Sequence, residues 1–216
     1  KKDKEKKKKK KKRKQSENGE DAVVPPAKKV KTELLEANIS DAKDENGNPP
    51  ISAFNVSPAI QQALKRKGIT HMFPIQANSF EVIRSGKDVV GRARTGTGKT
   101  LAFALPVVEQ LLSSDNADRQ KSQLFGRLPR VICLCPTREL AKQVCAEFEM
   151  LAVNKLRITS VYGGAPYGPM EAALYRGVDV VVGTCGRVKD MITKGSLKLT
   201  AVKHAILDEA DEMLDM

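Results

Sequence analysis

The sequence predicts an α/β fold, a parallel sheet with helices on both faces, and three observations predict it. Continuous apolar segments such as Val131-Ile132-Cys133-Leu134-Cys135 and Val180-Val181-Val182 read as strands buried on both faces. Helical patterns alternate with these segments along the chain, as in repeated βαβ units. Clusters of glycine, hydroxyl, arginine and carboxylate residues follow the strands. Sites in such sheets lie outside the carboxyl ends of the strands, so these clusters share one edge.

In chain order, order is expected to begin near Pro50. Ser57-Pro58 reads as a cap and first helical position, with Gly68 closing that helix. Pro74 to Gly86 repeats the punctuation. A short strand is expected at Asp88–Val90, then a tight loop, then a helix from Lys99 that Pro106 should kink or shorten. Ser113 to Pro129 is polar and reads as a surface loop. The strand Val131–Cys135 leads through Pro136-Thr137 into a helix over Arg138–Val153. Then come a strand over Ile158–Tyr162, a helix around Met170–Tyr175 and a strand over Val178–Val182. A loop over Gly183–Arg187, a helix over Val188–Thr193 and a strand over Ala205–Leu207 complete the pattern.

The formal net charge of +12 over 216 residues is uneven. Lys1–Lys14 alone carries +10 and everything after it +2. The basicity therefore belongs to a tail, and a nucleic-acid role for the body must rest on particular residues. Residues 1–50 are polar and charged, with too little apolar surface to offset chain entropy, and are expected to be disordered. The Lys6–Lys14 run reads as a solvated tail able to add non-specific affinity for RNA phosphates. Pro25-Pro26-Ala27-Lys28-Lys29-Val30-Lys31 has the clustered lysines of a nuclear-import signal, which implies an import receptor as partner; the alternative is charged linker. No apolar run approaches membrane-spanning length, and no membrane partner is expected. Cys133, Cys135, Cys145 and Cys185 lack C-x-x-C spacing and read as reduced thiols. His71 and His204 have no ligand cluster at metal spacing.

The chemistry centres on Gly91-Arg92-Ala93-Arg94-Thr95-Gly96-Thr97-Gly98-Lys99-Thr100. Gly96 and Gly98 let backbone N–H groups curl around an anion. The helix that follows points its positive end at the same place. Lys99 would reach β- and γ-phosphates, and Thr100 would put a hydroxyl on Mg²⁺. Ala93 stands where the plain phosphate-loop pattern has its first glycine. A second acidic site, Asp208-Glu209, follows the strand ending at Leu207. Beside a phosphate loop, the first acid holds Mg²⁺ through water and the second orients or deprotonates the attacking water. The plainer reading is an acidic helix start.

Asp208-Glu209-Ala210-Asp211, taken with Ala93–Thr100, resembles the DEAD-box ATP-dependent RNA helicases. Pro136-Thr137-Arg138-Glu139-Leu140-Ala141 is similar to the family's motif Ia, and Gly163-Gly164 to its glycine doublet. Gly68-Ile69-Thr70 with Pro74-Ile75-Gln76 is similar to its Q motif. The resemblance covers residues 51–216. Arg94, where most members carry Gln, and the lysine-rich arm resemble the nucleolar RNA helicase II (Gu) branch.

The resemblance implies a RecA-like P-loop sheet, the first of two motor domains, preceded by the disordered basic tail. It implies ATP and Mg²⁺ as ligands, RNA as partner and a nuclear, nucleolar location. The ATP site would comprise Thr70, Gln76, Ala93, Arg94, Thr95, Gly96, Thr97, Gly98, Lys99 and Thr100. Lys99, Asp208 and Glu209 would be catalytic, with Mg²⁺ on Thr100 and, through water, Asp208. Gln76 would read adenine through its amide, where otherwise it would be a solvated helix residue. In the family an upstream aromatic stacks on the base; that register holds Ile51 here, with Phe54 three residues on. The RNA-facing set would be Pro136, Thr137, Arg138, Gly163, Gly164, Thr184, Gly186 and Arg187. Such groups bind a phosphate backbone without reading bases. Arg138 with Glu139 could instead be a surface pair, and Gly163-Gly164 a turn. Thr184-Cys185-Gly186-Arg187 carries Cys where the family has Pro, which would loosen that loop. The resemblance also implies a sheet incomplete at the C-terminus: the Ser-Ala-Thr strand and second domain are not in the sequence, so residues 1–216 alone are expected not to hydrolyse ATP. The rival class is an RNA-binding scaffold whose nucleotide site gates a clamp without turnover. A GTPase would need an Asn-Lys-x-Asp base reader, which the sequence lacks.

Overall fold

The computed structural model describes residues 43–94, 96–118 and 125–215. Thr95, the Lys28-Lys29-Val30-Lys31 cluster and the rest of the tail before residue 43 lie outside the described residues, as does much of the expected loop after Ser113. Four parallel strands form the sheet: β1 (Val131–Cys135), β2 (Ile158–Val161), β3 (Val180–Thr184) and β4 (His204–Leu207), in the order β2-β3-β1-β4. Helices α1 (Pro58–Arg66), α2 (Pro74–Arg84), α3 (Lys99–Asp118) and α4 (Arg138–Ala152) precede β2, after a short 3-10 turn at Ile51–Ala53. Helices α5 (Tyr167–Arg176), α6 (Cys185–Thr193) and α7 (Ala210–Leu214) follow.

Alternation along the strands sorts the core into two layers. Val131, Cys133 and Cys135 of β1 and Val180 and Val182 of β3 pack with Phe80, Leu105, Val144 and Phe148 of the helices on one face. Ile132, Val161 and Val181 pack with Met170, Val188 and Met191 on the other. The parallel sheet covered on both faces is as expected. Cys133, Cys135 and Cys145 are buried and Cys185 is exposed, all as free thiols. Burial pushes the Cys145 thiol up to about 12, with help from the charge on Glu149. Among the described residues no helix is long and apolar enough to cross a membrane.

Several boundaries differ from expectation for identifiable reasons. Structure begins before Pro50. The Asp44 side chain accepts from the backbone N–H groups of Asn46 and Asn48 and from the Asn48 amide, and Met72 N–H donates to Pro49 O at 2.9 Å. The strand expected at Asp88–Val90 does not form. Extended backbone becomes sheet only with a ladder partner, and this segment has none among the described residues; Val90 is fully exposed. Thr184 ends β3 and α6 starts at Cys185, so the loop expected over Gly183–Arg187 is absent. Residue 185 occupies the first helical position, where proline's fixed φ and a helical cysteine are interchangeable. Thr184 is thus the last residue of β3, and Cys185, Gly186 and Arg187 have helical backbone.

Helix α3 continues past Pro106 to Asp118, through the start of the expected loop. Proline removes the N–H that would bond the carbonyl four residues back, Ala102. Ser79 of α2 supplies the missing donor: its hydroxyl lies 3.1 Å from Ala102 O, and Ser79 is buried. Ser79→Ala leaves that carbonyl orphaned and is expected to destabilise the fold by about 1–3 kcal/mol, measured by denaturant unfolding.

Candidate functional site

The carboxyl ends of β1 to β4 open on one edge, because all four strands run parallel. Pro136-Thr137-Arg138, Gly163-Gly164, Thr184–Arg187 and Asp208-Glu209 follow these ends directly. The phosphate-loop candidate reaches the same place from the start of α3. Gly96 and Gly98 hold φ of 81° and 70°, the left-handed region that favours glycine. The Thr97 hydroxyl donates to Arg94 O at 2.7 Å and closes the turn. Arg94 is exposed, and Ala93, Lys99 and Thr100 are half-buried.

The acidic pair follows β4. Asp208 is buried, and its N–H donates to Leu134 O at 3.0 Å, which extends the ladder to β1. Burial pushes its carboxyl above the usual carboxylate range and the Glu209 charge adds to this, while Lys99 pulls it down. Lys99 and Asp208, distant in sequence, are thus within electrostatic reach. Glu209 sits at φ 52° and ψ 52°, a left-handed conformation that is strained for a non-glycine residue. Among the described residues no group of three or more His, Cys, Asp or Glu could hold a metal ion. Mg²⁺ usually takes one or two protein ligands and fills its shell with waters and substrate phosphates, and a hydroxyl and a carboxylate such as those of Thr100 and Asp208 are ligands of that type. A buried carboxylate pushed toward its neutral form is a place where a divalent cation would restore charge balance.

Raised folded-state titration means that the folded form holds the proton more tightly than the unfolded form. Asp208 therefore weakens the fold above its folded-state pKa and loses that penalty as pH falls through it. Asp208→Asn is expected to raise the metal-free unfolding temperature at neutral pH, with the gain shrinking in acid. The same change is expected to lower Mg²⁺-dependent nucleotide affinity by roughly 10- to 100-fold. Thermal scans across pH, with titrations with and without Mg²⁺, read both effects.

Gln76 is buried rather than solvated, which removes the plainer reading of this residue. Its Oε1 accepts from Phe73 N–H at 2.9 Å, and its Nε2 donates to Gly98 O at 3.1 Å. The amide therefore joins the start of α2 to the phosphate loop, and one N–H and one lone pair remain for a ligand. A Cβ on Gly98 would collide with this amide. Thr70 is exposed, its hydroxyl 3.0 Å from His71 Nδ1. A cleft of about 390 Å³ opens here, lined by Ile69, His71, Phe73 and Gln76, by Gly96, Gly98 and Thr100, and by Leu101, Gln143 and Glu147. Neither Ile51 nor Phe54 lines it. Ile51 is buried, and Phe54 packs edge-on against Phe80 with ring centroids 5.5 Å apart.

The remaining candidates converge on the turn after β2. Arg138 Nη1 donates to Gly163 O at 3.3 Å, and a Cβ on Gly164 would run into its guanidinium. Arg187 Nη1 donates to Ala165 O at 2.8 Å. Arg138 is thus tied to the doublet rather than to Glu139. Thr137 caps α4 by accepting from Leu140 N–H at 3.2 Å, which leaves a well-formed helix start beside Pro136. Gly163 and Gly186 have no neighbour within 4 Å of an added Cβ and no positive φ, so packing does not demand glycine there. Their bareness leaves backbone open to close approach. Thr184 is the residue before α6 and makes no side-chain cap bond.

Sequence reading missed the groups that position these residues. The Arg187 guanidinium lies 4.0 Å from the Tyr167 ring centroid, and the Tyr167 hydroxyl donates to Asp190 at 3.0 Å. Phe73, Gln143 and Glu147 in the cleft were also missed. Only Phe73 carried a signal, since the residue before a proline is forced to be extended.

The chain is 50% identical over 191 residues to DEAD-box ATP-dependent RNA helicase 7 of Spinacia oleracea, a match over 88% of this chain and 27% of that protein. It is 44% identical over 190 residues to nucleolar RNA helicase 2-A of Xenopus laevis, over 88% of this chain and 24% of that one. The crystal structure of a DEAD box protein from Methanococcus jannaschii superimposes with a TM-score of 0.66 at 39% identity, covering 77% of this chain and 43% of that one. The chain thus spans about a quarter of the length of the curated relatives it matches. The DEAD/DEAH box helicase family matches residues 73–216, from Phe73 beside Gln76 through the acidic pair, and the chain belongs to that family.

Proposed function

We propose that the protein carrying this chain is an ATP-dependent RNA helicase, and that residues 51–216 belong to its first RecA-like, ATP-binding domain. The observation that carries this reading is the buried Gln76 amide bonded to Gly98 O in the glycine loop, with buried Asp208 at the end of β4 near enough for the Lys99 charge to act on it. In the proposed site, Gly96, Thr97, Gly98 and the start of α3 cradle phosphates, with Ala93, Arg94 and Thr95 completing the loop. Lys99 offsets phosphate charge. Thr100 and, through water, Asp208 would hold Mg²⁺, which would supply charge neutralisation for the transferring phosphoryl group. Glu209 orients and deprotonates the attacking water. Gln76 uses its remaining N–H and lone pair on adenine, with Thr70 beside it. Because the same amide holds Gly98, base recognition and loop position are coupled.

Pro136, Thr137, Arg138, Gly163, Gly164, Thr184, Gly186 and Arg187 form the proposed RNA-backbone surface. The two arginines that meet the turn after β2 support this assignment, since they align bare backbone, a helix N-terminus and guanidinium groups along one track. The second RecA-like domain is sought in the rest of the full-length protein, where ATP-driven closure would clamp single-stranded RNA and strain a short duplex. Membership of the nucleolar RNA helicase II (Gu) branch and a nucleolar role in RNA or ribosome biogenesis are proposed on the similarity to nucleolar RNA helicase 2-A. Import through Lys28-Lys29-Val30-Lys31 belongs to the same proposal.

The deciding measurement is phosphate release by the full-length protein with ATP or GTP, with and without single-stranded RNA. ATP-selective turnover stimulated by RNA is expected. ATP-dependent RNA binding without phosphate release would establish the gated scaffold instead, and equal use of GTP would remove Gln76 as an adenine reader.

A further inference from the structure

The cleft beside the phosphate loop contains an exposed aromatic residue that belongs to neither hydrophobic core cluster. Phe73 is 45% exposed, whereas Phe80 seven residues on is 1% exposed. Its backbone is extended at φ −61° and ψ 157°, as Pro74 requires, which keeps the ring out of the helix it precedes. The ring stands 3.5 Å from where a Cβ on Gly98 would lie, so it borders the loop directly. Phe73 N–H donates to the Gln76 amide oxygen, which anchors the Phe73 backbone beside the group that carries spare hydrogen-bonding capacity. Ile69 and Leu101 complete an apolar lining, and the cleft has the size of a small-molecule site.

An apolar wall, one exposed ring and one buried amide with a free donor and acceptor match the two needs of a flat heteroaromatic base. The ring takes its π-face and the amide takes its edge. Ile51 and Phe54 cannot serve as the platform without leaving the core, because Ile51 is buried and Phe54 is committed to Phe80. We propose that Phe73 is the stacking platform for the nucleotide base in this protein, a specificity residue that acts with Gln76. The proposal rests on the nucleotide-site reading above and adds a base contact from a position outside the register of the family's upstream aromatic.

The test is calorimetric titration of the full-length protein with Mg·ADP and, separately, with Mg·tripolyphosphate, which has phosphates and no base. Phe73→Ala is expected to weaken Mg·ADP binding roughly tenfold and leave tripolyphosphate binding unchanged, the size of one lost base–aromatic stack. Phe73→Trp is expected to restore ADP affinity and Phe73→Leu, which fills space without a π-face, to restore little. Unchanged ADP affinity in Phe73→Ala overturns the proposal, as does full rescue by Leu. Equal loss of both ligands also overturns it, because the ring would then only brace the loop. Wild-type protein that binds tripolyphosphate as tightly as ADP overturns the base contact while keeping the phosphate site. Wild-type protein that binds neither overturns the nucleotide reading and this proposal with it.

Discussion

Lys99→Ala and Glu209→Gln in the full-length protein are each expected to abolish RNA-stimulated ATP turnover, and to do so differently. Lys99 lies at the end of the phosphate loop, and its charge acts on Asp208. Its removal takes away charge stabilisation of the γ-phosphate and should lower kcat/KM by about 10²–10³, with ATP affinity falling as well. Glu209→Gln keeps the side-chain shape and removes only the base. Turnover should fall by about 10²–10⁴ while ATP-dependent RNA binding persists, so the variant should accumulate as an RNA clamp. Phosphate release measured beside RNA retention with ATP separates the two. Turnover within tenfold of wild type in either variant would remove that residue from its proposed role.

Asp179→Ala is expected to be strongly destabilising, on the scale of truncating a buried core aromatic. Asp179 is buried at the entry to β3, with its carboxylate bonded to Arg127, to Arg130 at 2.9 Å and to Arg157 N–H at 2.8 Å. Its backbone carbonyl also accepts from Arg130 and Val131, so one residue ties the starts of β1, β2 and β3 together. Removing the carboxylate takes a buried acidic partner away from two mostly buried guanidinium groups, which costs about 3–5 kcal/mol. For a chain of this size the melting temperature should fall by roughly 10 °C. Because this cluster lies at the opposite end of the strands from the site, ATP affinity of the folded fraction should hold. A melting temperature within 2 °C of wild type, about the lower bound for 1 kcal/mol, would show the cluster to be dispensable.

The elements with local signatures were legible in the sequence. β1 and β3 announce themselves as apolar runs, and α1 and α2 begin at Ser57-Pro58 and Pro74 as their prolines indicate. The loop, the acidic pair, the doublet and the arginines were each readable from residue type and spacing. Their mutual arrangement followed only from the parallel sheet. Gln76 was correctly singled out, yet its two protein bonds were invisible, since Gly98 lies 22 residues away.

What the sequence alone determined is the chemistry and the order of its parts: a phosphate loop, two acids, and basic and bare-backbone segments after successive strands. These depend on the side chain at each position and on periods of two and 3.6 residues. The tertiary structure decided everything that needed a partner from elsewhere in the chain. Ser79 rescues the Ala102 carbonyl and lets α3 pass Pro106. Asp88–Val90 stays out of the sheet because no strand among the described residues pairs with it. Asp179 finds Arg127 across 52 residues, and Phe54 is drawn into the core while Phe73 is left in the cleft. Hydrogen-bond satisfaction, charge pairing and burial are properties of neighbours in space, so a linear pattern names the groups without saying which of them meet.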